Sequence, residues 1–140
     1  RKRESIVDGL PVDLPALHRA FRLQDRAAGV GFDWPDAQGP AAKVEEELAE
    51  VRAEVARGAV LSGTGVPDAL LEDELGDLLF SVVNLCRKLG VHPSLALDKA
   101  NVKFAMRFQG IEALAKSRGI DVRTAGLEVL DGLWDEVKRG

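Results

Sequence analysis

Cysteine, long hydrophobic runs and an excess of basic charge are all missing from this sequence of 140 residues. The single cysteine, Cys86, excludes an internal disulfide and any metal site built on thiolates, and its apolar neighbours predict a small core side chain. No stretch approaches the roughly 18 to 20 apolar residues of a membrane span, and no export signal opens the chain. These absences predict a cytoplasmic protein with no membrane partner.

The charge balance is acidic, with 23 Asp and Glu residues against 19 Lys and Arg and a net charge of −4. A footprint on a nucleic-acid polymer needs a basic excess, so such a partner is not expected. The acids are also unevenly spread, because one group occupies positions 45–54 and a second group positions 72–77. The clustering, rather than the total charge, is the feature that calls for an explanation.

Nearly every periodic segment has the apolar spacing that is typical of an α-helix, and no stretch alternates as a β-strand would. The predicted helices cover residues 14–28, 41–57, 68–89, 94–118 and 124–138. Asp13 is the expected N-cap of the first helix, with Pro15 in its first turn. We therefore expect one all-α domain over residues 1–140, a bundle of four to five helices. Residues 1–12 should form a flexible lead-in and the glycine-rich residues 58–67 a flexible loop.

The two acidic groups lie beside the apolar stripes of the second and third predicted helices. The second helix has the stripe Val44, Leu48, Val51 and Val55, and the third has Leu71, Leu75, Leu78, Val82, Cys86 and Leu89. At about 100° per residue, Glu47 and Glu50 lie to one side of the first stripe. Glu74 and Asp77 lie on the same side of the second. If the two helices pack with their stripes together, both carboxylate pairs line one groove.

Four carboxylates in one groove would repel each other and lose solvation unless a cation joined them. All-oxygen ligands favour hard ions, so Mg²⁺ is expected, with Mn²⁺ as a possible substitute. Gly76 between Glu74 and Asp77 agrees with a close approach to the backbone, since a mid-helix glycine costs about 1 kcal/mol relative to alanine. The alternative is that the acids form a solvated face or complement the helix dipole, which explains Asp77 least well.

A ladder of basic residues in the fourth helix offers a counter-charge. Lys99, Lys103 and Arg107 follow each other at i, i+4 spacing, and they either neutralise the acids or bind phosphates. Asn84 and Asn101 lie among apolar residues and either contact a sugar or base edge or bridge helices.

Trp134 and Lys138 lie one turn apart near the C-terminus. They offer a stacking face and a charge, although a single tryptophan more often belongs to the core. Nucleophilic catalysis has no candidate, because His18 and His92 are isolated and there is neither a serine elbow nor a P-loop. Neither histidine follows a glutamate by three residues, which excludes a di-iron carboxylate bundle. The residues allow attack on phosphorus by a water that a bound divalent cation activates.

Three segments together resemble a known family. They read "KVEEELAEV", "EDELGDLLFSVVNLCR" and "KANVKFAMRF", and they are similar to MazG proteins of the all-α NTP pyrophosphatase superfamily. The segment "LPALHRAFRLQDRAAGVGFDWPD" is similar to the part of MazG that leads into the catalytic module. The resemblance covers residues 10–138 and is strongest to the C-terminal module of two-module members. The loop at residues 58–67 departs from the pattern and carries no implied role.

The resemblance implies hydrolysis of nucleoside triphosphates to a monophosphate and pyrophosphate with Mg²⁺. By motif position it implies metal ligands at Glu47, Glu50, Glu74 and Asp77. It implies that Glu46 acts as a base or an orienting group. Among the substrate contacts, Lys103 and Arg107 would hold the triphosphate, while Trp134 and Lys138 would close over the nucleotide. Family members form homodimers, so a homodimer is expected. A catalytically silent nucleotide-binding or dimerisation module is the alternative.

Overall fold

The computed structural model describes residues 4–58 and 69–140. Within these ranges the chain forms five α-helices and no β-strand: α1 (Ala16–Gly29), α2 (Gln38–Ala56), α3 (Ala69–Lys88), α4 (Pro93–Ser117) and α5 (Leu127–Arg139). The all-α prediction is therefore confirmed for the described chain, and none of its helices is long and apolar enough to cross a bilayer. The expected flexible loop lies, apart from Gly58, outside the described residues.

The start of α1 differs from the prediction. Its N-cap is Pro15, with extended angles of φ −53° and ψ 141°, and no side chain caps the helix. Asp13 as the N-cap is therefore wrong, because a proline holds the residue before it out of the helical region and so excludes Leu14 from the helix. Arg19 in the first turn donates instead to the backbone carbonyls of Leu14 and Val12.

The start of α2 also differs, since this helix begins at Gln38 rather than near residue 41. Pro40 lies in the first turn, where a helix leaves N–H groups without partners anyway, so a proline costs no hydrogen bond there. The carboxylate of Asp36 accepts a hydrogen bond of 2.9 Å from the Gln38 N–H. The proline therefore belongs to the helix instead of preceding it.

The connector between α1 and α2 is held against both α2 and α3. It turns at Gly31, whose φ of 93° suits a residue without a side chain. The indole of Trp34 covers Gly39 in α2 so closely that an added Cβ would lie 2.3 Å from the ring. The Asp33 carboxylate forms an ion pair with Arg87 of α3, with 2.6 Å between Oδ1 and Nη2. These contacts give the connector a defined position without regular secondary structure.

The chain divides into two compact units, the first ending at Ser94 and the second covering Leu95–Gly140. In the first unit α3 packs against both α1 and α2. The second unit has an apolar core of Ile111, Ala115 and Leu133. Arg118, the residue that follows α4, donates two hydrogen bonds of 2.8 Å to Glu136 of α5.

The predicted apolar stripes are partly wrong. Leu48 in α2 is 39% exposed, and Leu75, Val82 and Leu89 in α3 are 42%, 40% and 61% exposed. Glu47 in α2 and Ser81 in α3 are buried instead, at 7% and 5% exposure. Two neighbours, α1 and α2, decide which arc of α3 is covered, so the covered arc differs from the helix's own apolar stripe. Of the acids in α2, Glu47 consequently turns inward, whereas Glu46 and Glu50 are exposed.

Candidate functional site

Three acidic side chains converge in the first unit. Each of Glu47, Glu50 and Glu74 offers a carboxylate oxygen, and these oxygens all lie within 4.8 Å of one another. The first two lie one turn apart on α2, and the third comes from α3, which packs against it. We call these three residues the carboxylate cluster. It contains three of the four side chains that the spacing pairs in one groove.

Glu47 is the most deeply placed member of the cluster. Its Oε1 lies 3.2 Å from Lys43 Nζ, whereas its Oε2 is buried and has no hydrogen-bond partner. Lys43 precedes Glu47 by one turn, so the helix itself provides this pairing. The bond to Glu47 is the main cause that raises the pKa of Lys43 above its usual value. A single lysine therefore balances only part of the negative charge in the cluster.

Glu74 shows the electrostatic cost of this convergence. Its pKa is raised above the usual value, first because the protonated carboxyl hydrogen-bonds to Glu50. Burial and the charges of Glu50, Asp77 and Glu47 raise the pKa further. When both carboxyls are ionised there is no proton to share, and the buried Oε2 of Glu74 has no hydrogen-bond partner. Ionised Glu74 therefore requires a positive group from outside these residues.

The other predicted acids lie at the margin of the cluster. Asp77 is exposed and is not one of the three that converge, although it is near enough to influence the pKa of Glu74. Glu46 is exposed and accepts a 3.5 Å ion pair from Lys43. No described atom comes within 4 Å of a Cβ added at Gly76, so packing against the described chain does not explain this glycine. The roles of Asp77 and Glu46 remain predictions.

The donor set fits a hard divalent cation. It consists of carboxylate oxygens, two of which are buried without a partner, and one lysine that balances a single charge. Buried polar atoms in proteins nearly always have partners, so two such orphans in one place indicate a missing positive ligand. Oxygen ligands of this kind suit Mg²⁺ or Mn²⁺ rather than softer metals. The cluster can therefore hold a metal ion.

The residues predicted to contact substrate lie on different helices and differ in burial. Asn84 on α3 is half-buried, and its Oδ1 accepts a 3.0 Å bond from Arg87. Asn101 and Lys103 on α4 are exposed. None of these positions contributes to the carboxylate cluster.

In the second unit, α4 and α5 bring together two residues that the sequence suggests separately. The Arg107 guanidinium lies 5.6 Å from the centre of the Trp134 ring, a cation–π contact, and Phe104 lies 5.7 Å from the same ring. Trp134 also packs against the apolar core of this unit, so it is a core residue whose ring in addition contacts the half-buried Arg107. Lys138 is exposed near the end of α5.

Sequence reasoning missed two features of the first unit. The pairing of Lys43 with Glu47 has a usable signal, because the two residues are four apart on a helix. The second feature is a cavity bounded by α1, the connector and α3. It has almost no signal in the sequence, because its walls come from three separate segments. The hints are two polar residues within periodic apolar segments, Gln24 in α1 and Asn84 in α3.

Fold and site together define an all-α protein with a carboxylate cluster suited to a hard divalent cation. The chain is 45% identical over 139 residues to a nucleoside triphosphate pyrophosphohydrolase of Escherichia coli K12, covering 99% of this chain and 51% of that protein. It is 40% identical over 140 residues to the nucleoside triphosphate pyrophosphohydrolase/pyrophosphatase MazG of Thermotoga maritima, covering 100% of this chain and 51% of that protein. The resemblance to MazG proteins is therefore confirmed over nearly the whole of this chain.

Two further findings complete the comparison. The uncharacterized protein YabN of Bacillus subtilis is 43% identical over 68 residues, which is 49% of this chain and 14% of that protein. No family model matches the chain. The chain spans about half the length of the E. coli and T. maritima relatives.

Proposed function

We propose that this chain hydrolyses nucleoside triphosphates to a nucleoside monophosphate and pyrophosphate with Mg²⁺ as the cofactor. The observation that supports this proposal most is the convergence of the carboxylates of Glu47, Glu50 and Glu74. One oxygen each of Glu47 and Glu74 is buried there without a partner. The MazG relatives carry the name of this activity over nearly the whole length of this chain. Water attacks the α-phosphorus, its oxygen stays on the monophosphate, and pyrophosphate is the leaving group.

In this proposal the carboxylate cluster, together with Asp77, holds the metal. When bound, a divalent cation supplies charge neutralisation on phosphate oxygens and lowers the pKa of a bound water. Lys43 keeps the Glu47 carboxylate in place through its 3.2 Å ion pair. Glu46 is exposed next to this pair and either orients it or accepts a proton.

The basic residues of α4 contact the triphosphate in this proposal. Lys103 and Arg107 balance the charge that develops on the leaving pyrophosphate. The face of Trp134 already holds a guanidinium at 5.6 Å, and with Lys138 it covers the nucleotide. Asn101, exposed on the same helix, contacts the sugar.

A second copy of the chain is the proposed partner. Five large apolar side chains of α4 are 52% to 66% exposed, namely Leu95, Leu97, Val102, Phe104 and Met106. Exposed apolar side chains at this density favour burial against another surface. Sedimentation at micromolar concentration should give twice the chain mass of 15.1 kDa. A single species at the chain mass would contradict the dimer.

The activity is tested by incubating the chain with a panel of ribo- and deoxyribonucleoside triphosphates and Mg²⁺. Equal amounts of monophosphate and pyrophosphate are expected, and a chelator should abolish both. In water enriched in heavy oxygen, the label should enter the monophosphate, because attack occurs at the α-phosphorus. Label in the pyrophosphate would refute this reaction. Stoichiometric nucleotide binding without product would favour the catalytically silent module.

The site assignment needs a matched pair of variants on the same helix. Glu74→Gln removes one charge from the cluster and should abolish product formation. Glu72→Gln removes a charge from an exposed position of α3 outside the cluster and should leave the rate unchanged. Equal rates for the two variants would show that the cluster is not the site.

A further inference from the structure

A cavity of about 420 Å³ lies in the first unit between α1, the connector and α3. This volume falls in the range of small-molecule sites, roughly 300 to 1,000 Å³. No member of the carboxylate cluster lines the cavity. The residues that matter for its chemistry are Gln24, Phe32, Trp34, Phe80, Asn84 and Arg87.

Gln24 contributes an unsatisfied hydrogen-bond acceptor. The residue is 6% exposed, and its Nε2 donates a 2.9 Å bond to the backbone carbonyl of Phe80. A carbonyl only accepts, so this bond fixes which end of the amide faces α3. The Oε1 is therefore the other end, and it is buried without a partner. A buried acceptor in this state needs an N–H or O–H donor, which a ligand or an ordered water supplies.

Three aromatic side chains, Phe32, Trp34 and Phe80, also line the cavity. Phe32 is 80% exposed and Trp34 is 42% exposed, although both line a concave surface. Trp34 cannot retreat toward α2, because its ring already lies on the backbone of Gly39. Exposed rings beside a cavity favour a flat ligand that covers their faces.

The charged groups at the cavity compensate each other. The Arg87 side chain is 10% exposed, and its guanidinium forms a 2.6 Å ion pair with Asp33. Lys88 lies 3.3 Å from the same carboxylate. Arg87 also donates to Asn84 Oδ1 at 3.0 Å. With its one guanidinium already bonded to Asp33 and Asn84, the cavity suits a neutral polar ring better than a phosphate.

We propose that this cavity binds the nucleobase of the triphosphate, with Gln24 Oε1 accepting a hydrogen bond from an N–H group of the base. The inference rests on the proposed function, because it is the triphosphate that brings a base to this unit. Helix α3 contributes to both the carboxylate cluster and the cavity. Phe80, which lines the cavity, follows Glu74 of the cluster by a rise of about 9 Å along the helix. A ribose and its first phosphate span a separation of this order. Adenine and cytosine offer an amino group, whereas guanine, uracil and thymine offer a ring N–H.

The test compares adenosine triphosphate with the triphosphate of purine riboside, an analogue whose base has no N–H group. For the parent chain, KM should be about threefold to tenfold higher for the analogue, the value of one neutral hydrogen bond. Since the base lies away from the reacting phosphorus, kcat should change little. In Gln24→Met, the KM ratio of the two substrates should fall to one.

A second variant keeps Gln24 and fills the cavity. Ala27 lines the cavity from α1, so Ala27→Leu should raise KM for both substrates by about tenfold or more, while kcat is retained. Ala16→Leu is the matched control, because Ala16 is exposed at the start of the same helix and does not line the cavity. Thermal unfolding of each variant verifies that the chain is folded.

The outcomes separate this inference from the proposed function. If the parent hydrolyses triphosphates but its KM ratio is one, or if Ala27→Leu leaves KM unchanged, the base assignment is overturned and the hydrolase proposal stands. If no triphosphate yields pyrophosphate, the proposed function fails instead. Whether the cavity binds a base is then tested by titrating the chain with adenosine and measuring the tryptophan fluorescence. Saturable quenching by adenosine in the parent but not in Ala27→Leu supports a base site, and no quenching in either overturns it.

Discussion

Among the described residues, the two units bury different kinds of side chain. In the first unit the buried set includes Gln24, Glu47 and Ser81, with 5% to 7% exposure. The buried cluster of the second unit is apolar, with Ile111 and Leu133 at 2% and 3%. Buried polar groups cost stability unless something satisfies them, whereas apolar cores supply it. The buried polar groups of the first unit therefore cost stability unless a ligand satisfies them, whereas the apolar core of the second unit supplies stability.

The largest expected effect is the loss of activity in Glu47→Gln. Removing one metal-binding charge should lower kcat/KM about a thousandfold, because several kcal/mol of charge stabilisation depend on the metal. Unfolding by urea should show that the fold survives, since the amide has the same shape. Glu45→Gln, an exposed neighbour on the same helix, serves as the control. Parent-like turnover in Glu47→Gln would mean that the polar interior of the first unit has no catalytic role.

The next effect concerns stability in the second unit. Leu133→Ala should lower the free energy of unfolding by about 2 to 5 kcal/mol, the usual cost of a cavity in an apolar core. Leu127→Ala, at a position on the same helix that is 82% exposed, should change it by no more than about 0.5 kcal/mol. If both variants lost the same free energy of unfolding, the second unit would not depend on its apolar core, and the contrast with the first unit would fail.

Metal should stabilise the first unit through mass action. At about 100 times its dissociation constant, Mg²⁺ should raise the free energy of unfolding by about 2.7 kcal/mol. The reason is that the carboxylates of α2 and α3 converge only in the folded chain, so the unfolded chain does not bind the ion in the same way. The increase should vanish with a chelator and in Glu74→Gln. An undiminished increase in that variant would place the metal elsewhere.

The smallest effect is on acid stability and compares one ion pair from each unit. The hydrogen bond from Arg87 is the main reason that the pKa of Asp33 is lowered from 3.8 to about 2. The bond from Arg118 similarly lowers the pKa of Glu136. Because folding depresses both pKa values, each pair stabilises the fold above the ordinary carboxyl pKa. That stability is lost as the pH falls, for Asp33 between about 4 and 2.

The matched variants for this effect are Asp33→Asn and Glu136→Gln. The Asp33 side chain is 25% exposed and that of Glu136 is 40% exposed, so solvent screens the second pair more. Urea unfolding at several acidic pH values should show a flatter dependence in both variants, with the larger change for Asp33→Asn. A larger change in Glu136→Gln would reverse the order we expect.

Sequence reasoning came close to the helix bounds, and its misses have identifiable causes. The bounds differ from the predicted ones by about three residues or fewer where both ends are described. The largest shifts, of three residues, are at the starts of α2 and α5. The shifts at α1 and α2 lie near Pro15 and Pro40, where the same residue type has opposite effects before and inside a first turn. The stripes failed at Leu48 and Leu75 because burial depends on the neighbouring helices, which a single helix pattern does not describe.

By itself, the sequence determined the all-α class and the positions of the acids along α2 and α3, because helical spacing is a local property of the backbone. It also determined the relation to MazG, through motifs that are contiguous in the chain. Only the tertiary structure decided that Glu47 turns inward with its Oε2 unpartnered and that Gln24, whose Oε1 is buried without a partner, lines a cavity. Both depend on how α3 packs against two other helices, and such packing balances the burial of many side chains at once rather than following from any one segment.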